Sequence, residues 1–208
     1  MIVSFTNRFI FIAIPRTASA STFHAVRPAG ADQVRYRQAP NPCYVADANG
    51  FHDPFVPPEL VDYFTFTNCR NPFPRMVSHY LFAKGDEPHR LHSLANAESF
   101  TRYVEVVIMG RLLATQTEFI GETRIDARIV QEDDMQAQLR LLPCLSGIPV
   151  EIGHENVSTY DRPWWAYYDR VTVEAVKQWA ASDFEKLGYS TDFADAVANR
   201  VPSWYKPV

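Results

Sequence analysis

Residues 9–14, Phe-Ile-Phe-Ile-Ala-Ile, are apolar at every position instead of at alternate ones. A half-exposed strand would alternate, so this run predicts a strand buried on both faces, as in a parallel sheet. Small and hydroxylated residues follow, and the spacing predicts a helix over 19–26. Residues 28–58 are broken by Pro28, Pro40, Pro42, Pro54, Pro57 and Pro58, which predicts irregular chain with at most short strands. A short helix is expected at 58–62. Residues 63–69 (Tyr-Phe-Thr-Phe-Thr-Asn-Cys) are aromatic and β-branched and predict a second strand. A helix over 73–83 sets Met76, Val77, Tyr80 and Leu81 on one stripe. Residues 84–96 read as a polar loop, 97–109 as a helix, 127–131 as a short strand and 133–142 as an amphipathic helix. A last helix spans 173–187 and stops at Gly188.

Strands alternating with helices predict an α/β domain with a parallel sheet and flanking helices. Such sheets bind ligands at the carboxyl ends of their strands. The tracts at 15–22 and 70–78 both lie there.

Composition narrows the setting. The chain has 208 residues, 47% of them hydrophobic, which fits a single domain spanning 1–208 with a sizeable core. A formal net charge of −4 gives no general attraction to nucleic acid, so any anion site is local. Cys43, Cys69 and Cys144 are odd in number and lack CxxC spacing, which predicts reduced thiols and a cytoplasmic location. The run at 9–14 is too short for a signal peptide or a membrane span. The sequon Asn156-Val157-Ser158 carries no weight without secretion.

The first tract is Pro15-Arg16-Thr17-Ala18-Ser19-Ala20-Ser21-Thr22. A strand that turns into a helix through small residues presents several backbone N–H groups, and the helix dipole adds to their attraction for negative charge. Thr17, Ser19, Ser21 and Thr22 add hydroxyls, and Arg16 a permanent cation suited to phosphate or sulfate oxygens. The nucleotide loop GxxxxGK[ST] is absent, which disfavours ATP hydrolysis. Taken alone, the tract reads equally as a serine-rich helix start after a core strand.

The second tract is Arg70-Asn71-Pro72-Phe73-Pro74-Arg75-Met76-Val77-Ser78-His79-Tyr80, with an arginine at a strand end and a serine within the next helix. Together the two tracts resemble the sulfotransferases that use 3′-phosphoadenosine 5′-phosphosulfate (PAPS), in particular the carbohydrate group that includes heparan sulfate 2-O-sulfotransferase. That family carries Pro-Lys-Thr followed by small and hydroxyl residues, then Arg-Asp-Pro-x-x-Arg-Leu-x-Ser-x-Tyr. The resemblance continues at residues 130–135 and 160–169 and at the closing Asp183-Phe184-Glu185-Lys186-Leu187-Gly188-Tyr189, so it spans nearly the whole chain in order. Arg16 stands for the usual lysine, Asn71 for aspartate, and Ala20 where a hydroxyl is frequent.

The resemblance implies a P-loop-like sulfotransferase fold and direct, in-line transfer of a sulfuryl group from PAPS to an acceptor hydroxyl of a carbohydrate or glycolipid-like molecule. It places Arg16, Thr17, Ala18, Ser19, Ala20, Ser21 and Thr22 around the 5′-phosphosulfate, with Arg16 also acting on the leaving group. A preorganised donor of that kind is worth roughly 3 kcal/mol. It assigns Arg70 and Ser78 to the 3′-phosphate, and His52, after Gly50-Phe51, to the role of general base. Arg162 is divided evenly between the 3′-phosphate and a surface role. No metal ligand set is visible.

Other residues read as structural. Arg75 suits a surface salt bridge or a helix face, Asp53 a turn cap, and His24, His79, His89, His92 and His154 packing or solvated positions. Trp164, Trp165, Tyr167 and Tyr168 suit packing against the C-terminal helix, and Glu132, Asp133 and Asp134 a helix N-terminus. Two other functions stay open: a P-loop-type phosphotransferase and a non-catalytic module that binds an adenine nucleotide. Neither the acceptor nor the oligomeric state is legible.

Overall fold

The computed structural model describes residues 2–33, 56–155 and 158–198. In chain order its elements are β1 (Ile2–Ser4), β2 (Phe9–Ile12), α1 (Ser19–Val26), β3 (Ala31–Gln33), β4 (Phe64–Cys69), α2 (Pro72–Gly85), α3 (His92–Ala97), α4 (Phe100–Met109), α5 (Gln116–Ile120), β5 (Ala127–Val130), α6 (Met135–Arg140), α7 (Arg170–Trp179), α8 (Ala181–Leu187) and α9 (Phe193–Ala198). The chain folds into two compact units. One comprises Met1–Arg70 with Gln116–Val157, the other Asn71–Thr115 with Ser158–Val208.

The first unit holds a five-stranded sheet in the order β3-β1-β2-β4-β5. β4 runs parallel to β2 and to β5, with Phe9 opposite Phe64 and Phe66 opposite Ala127. This is the parallel segment that the apolar run at 9–14 predicts. The sheet as a whole is mixed, because β1 pairs antiparallel with both β2 and β3. β1 and β3 are each three residues long, too short to leave a periodic signal. Phe11 and Phe66 stack with ring centres 5.1 Å apart, and both are fully buried. Ala25, Val26, Leu139 and Leu145 join them in one apolar cluster. Burying a phenylalanine of this size contributes about 2–3 kcal/mol.

The second unit is helical among the described residues. Its core gathers Phe73, Met76, Val77 and Tyr80 from α2, Tyr103 and Val107 from α4, Val176 from α7 and Phe184 from α8. Pro72 sits in the first turn of α2, where its missing N–H costs nothing, and Asn71 caps that helix by accepting from the Phe73 N–H. The segment expected as one helix over 173–187 is two. Ala180 leaves the helical conformation between α7 and α8, and Gly188 closes α8 in the left-handed region at φ 77°. The segment read as a polar loop over 84–96 contains α3, which is short and buries Ala95. Among the described residues no helix is long and apolar enough to cross a membrane.

Candidate functional site

The first unit carries the tract at 15–22. After β2 the chain passes through Pro15 into two residues with left-handed backbone, Arg16 at φ 65° and Ala18 at φ 61°. Neither is glycine, and such a conformation costs an ordinary L-residue about 1–2 kcal/mol. It persists because the hydroxyls of the tract hold it. The Thr17 hydroxyl donates to the Ile14 carbonyl at 2.8 Å, and the Ser19 hydroxyl donates to the same carbonyl. The Ser21 hydroxyl accepts from the Glu155 N–H at 2.9 Å. Thr17 and Thr22 are fully buried. These side chains therefore build the loop from beneath.

What the loop offers a ligand is backbone. Ala18 occupies the N-cap position of α1 and provides no side-chain cap. The first helical bond runs from the Thr22 N–H to the Ala18 carbonyl, so the N–H groups of Ser19, Ala20 and Ser21 lie outside the helical ladder. Uncapped N–H groups at the positive end of a helix attract an anion.

Asn68, near the end of β4, locks this loop to the sheet. Its Nδ2 donates to the Thr17 carbonyl and to the Thr22 hydroxyl, both at 2.8 Å. The residue is fully buried, and among the described residues its Oδ1 has no hydrogen-bond partner. One residue past β4 comes Arg70. Its Nη1 donates to the Arg16 carbonyl at 3.3 Å, which brings the two arginine-bearing segments together at one edge of the sheet. Gln116 exchanges two hydrogen bonds with the Arg70 backbone, accepting from its N–H at 2.9 Å and donating to its carbonyl at 2.8 Å.

Asn68 and Gln116 were not among the residues that the sequence marks out. An amide inside an otherwise aromatic and β-branched strand is a readable anomaly, and Asn68 has that signal. Gln116 stands between two threonines in a stretch with no pattern and has none.

The second unit contains Ser78 and Arg162. Ser78 is buried in α2, and its hydroxyl lies 3.2 Å from the Ser158 hydroxyl. The Arg162 guanidinium lies 4.2 Å from the centre of the Tyr167 ring, a cation–π contact. The Tyr167 hydroxyl donates to Asp161. That hydrogen bond holds the Asp161 carboxyl below its usual range, while burial, with the Asp161 contact, pushes Tyr167 up to about 12.

Of the two roles expected for Arg75, a surface salt bridge or a helix face, the surface one is ruled out. Arg75 is fully buried, with both Nη1 and Nη2 on the Ala114 carbonyl, because that face of α2 turns into the core of its unit. His79 is also buried and its Nδ1 lies 2.8 Å from the Tyr103 hydroxyl. Burial lifts the Tyr103 phenol well above its usual range, opposed by the Arg90 charge. His24 and His154 are exposed. Trp164, Tyr167 and Tyr168 pack on the helical core, as expected, and Asp134 caps α6 by accepting from the Ala137 N–H.

His52 and Cys43 lie outside the described residues. Among the described residues no three His, Cys, Asp or Glu side chains form a cluster able to hold a metal ion. The donor set at the first unit's sheet edge fits an anion with more than one charged group: uncapped N–H groups beside Arg16, and a second guanidinium on the Arg16 carbonyl. In comparisons with known proteins, no family model, curated protein or solved structure matches the chain.

Proposed function

We propose that this chain is a PAPS-dependent sulfotransferase that acts on an acceptor hydroxyl, of a carbohydrate or glycolipid-like molecule. The observation that carries the reading is the meeting of the strained, uncapped Arg16 loop with Arg70 at the carboxyl edge of parallel strands. Support also comes from the order of the two tracts in the sequence, which matches the family pattern.

When bound, PAPS supplies an activated sulfuryl group and leaves as 3′-phosphoadenosine 5′-phosphate. The chain's own groups have three tasks. The N–H groups of Ser19, Ala20 and Ser21, with Arg16, bind the 5′ end and stabilise the negative charge that grows there during transfer. Arg70 binds the 3′-phosphate through a charge-assisted hydrogen bond. Ser78 and Arg162 are assigned to the same phosphate by the resemblance alone, as is His52 to accepting the proton of the acceptor hydroxyl. Thr17, Ser19, Ser21 and Thr22 act from beneath by holding the loop.

The test is thermal unfolding with 3′-phosphoadenosine 5′-phosphate or with ATP and magnesium, followed by a screen of hydroxylated glycans and lipids with labelled PAPS. The bisphosphate should raise the unfolding midpoint more than ATP does, and label should pass to a hydroxylated acceptor. Stabilisation by ATP with magnesium alone would reject the proposal in favour of phosphoryl transfer.

A further inference from the structure

Strand β4 ends at Cys69, where the Gln131 N–H still reaches the Cys69 carbonyl at 2.9 Å. The pairing of β4 with β5 ends, among the described residues, at Cys69 opposite Val130. Gln116 pairs with the next residue, Arg70. A carboxamide presents an acceptor and a donor side by side, the same pair that a neighbouring strand would offer. Its Oε1 takes the Arg70 N–H and its Nε2 gives to the Arg70 carbonyl. Gln116 is itself fully buried, so water does not compete for the pair.

Two bonds to one residue fix both where its Cα sits and how its peptide planes turn. The Arg70 side chain starts from that fixed point and is held at its far end by the Arg16 carbonyl at 3.3 Å. A guanidinium anchored at both ends is preorganised toward one place, and a shift of its backbone would move the charge away.

We propose that Gln116 is the positioning residue for Arg70 and thereby sets the preference of the site for adenosine nucleotides that carry a 3′-phosphate. The inference rests on the reading of Arg70 given above. Gln116 touches no ligand in this account. It acts only through the Arg70 backbone.

That separation gives the test. Adenosine 5′-phosphate engages the Arg16 loop alone, whereas 3′-phosphoadenosine 5′-phosphate also needs Arg70. Affinities for both are measured by calorimetry on the full chain, its Gln116→Met variant and its Gln116→Glu variant. Methionine keeps the length and loses both bonds, and glutamate loses the donor. The wild-type chain should prefer the bisphosphate, and Gln116→Met should cut that preference about tenfold while affinity for adenosine 5′-phosphate holds. Should Gln116→Met fail to fold, Gln116→Glu is read by the same ratio. A ratio unchanged in the variants overturns the inference, as does an equal loss for both nucleotides, which marks a merely structural glutamine. A wild-type chain with no preference fails earlier, at the reading of Arg70 itself, and takes this inference with it.

Discussion

Ala18 carries a methyl group where the backbone, at φ 61° and ψ 28°, suits glycine. Replacing it by glycine removes the clash between Cβ and carbonyl and should stabilise the fold by about 1 kcal/mol. For a chain of this length that raises the unfolding midpoint by about 2–4 °C. A lower midpoint for Ala18→Gly would show that the strain attributed to this position is absent. Asn68 makes the opposite case. Its amide is the shared partner of the Thr17 carbonyl and the Thr22 hydroxyl, both buried. Asn68→Ala strands those groups and should cost about 2 kcal/mol in a denaturant titration. A neutral result would mean that the loop holds itself without the sheet.

Among the elements, α7 offers the clearest electrostatic test. Asp169 caps it, accepting from the Thr172 N–H at 2.8 Å, with Thr101 donating to its other oxygen at 2.9 Å. The Thr172 backbone bond, helped by the Thr172 hydroxyl, holds the Asp169 carboxyl below its ordinary value of 3.8. A depressed carboxylate stabilises the fold above the unfolded value, and that stability is lost as pH falls through the folded one. Asp169→Ala should therefore cost about 1 kcal/mol at neutral pH, and the difference from wild type should shrink below pH 3.8. A difference that persists unchanged into strong acid would contradict the capping account. Elements with a long or uniform pattern were legible in the sequence. The helix read at 19–26 is α1 to the residue, and the strands read at 63–69 and 127–131 are β4 and β5 within a residue. The antiparallel strands β1 and β3 were not, nor were α5 and α9. Each is six residues or fewer, and tertiary pairing instead of local periodicity decides such segments.

For the whole molecule, the interleaving of the chain between two cores explains why reading site residues from sequence goes only part of the way. Arg16 and Arg70 are far apart in sequence, yet parallel pairing of β2 with β4 brings both tracts to one sheet edge, as a strand–loop–helix pattern implies. The roles of the hydroxyls were not legible, because a serine that reaches down to Ile14 and one that faces a ligand look alike in sequence. A net charge of −4 leaves the local donors as the source of any affinity for a doubly phosphorylated nucleotide. The most direct measurement compares wild type with Arg70→Ala for binding of 3′-phosphoadenosine 5′-phosphate and of adenosine 5′-phosphate. The bisphosphate should bind the variant about 10- to 100-fold more weakly, the worth of one hydrogen bond to a charged group, while the monophosphate binds as before. Equal losses for the two nucleotides, or none for either, would contradict the assignment of Arg70 to the second phosphate.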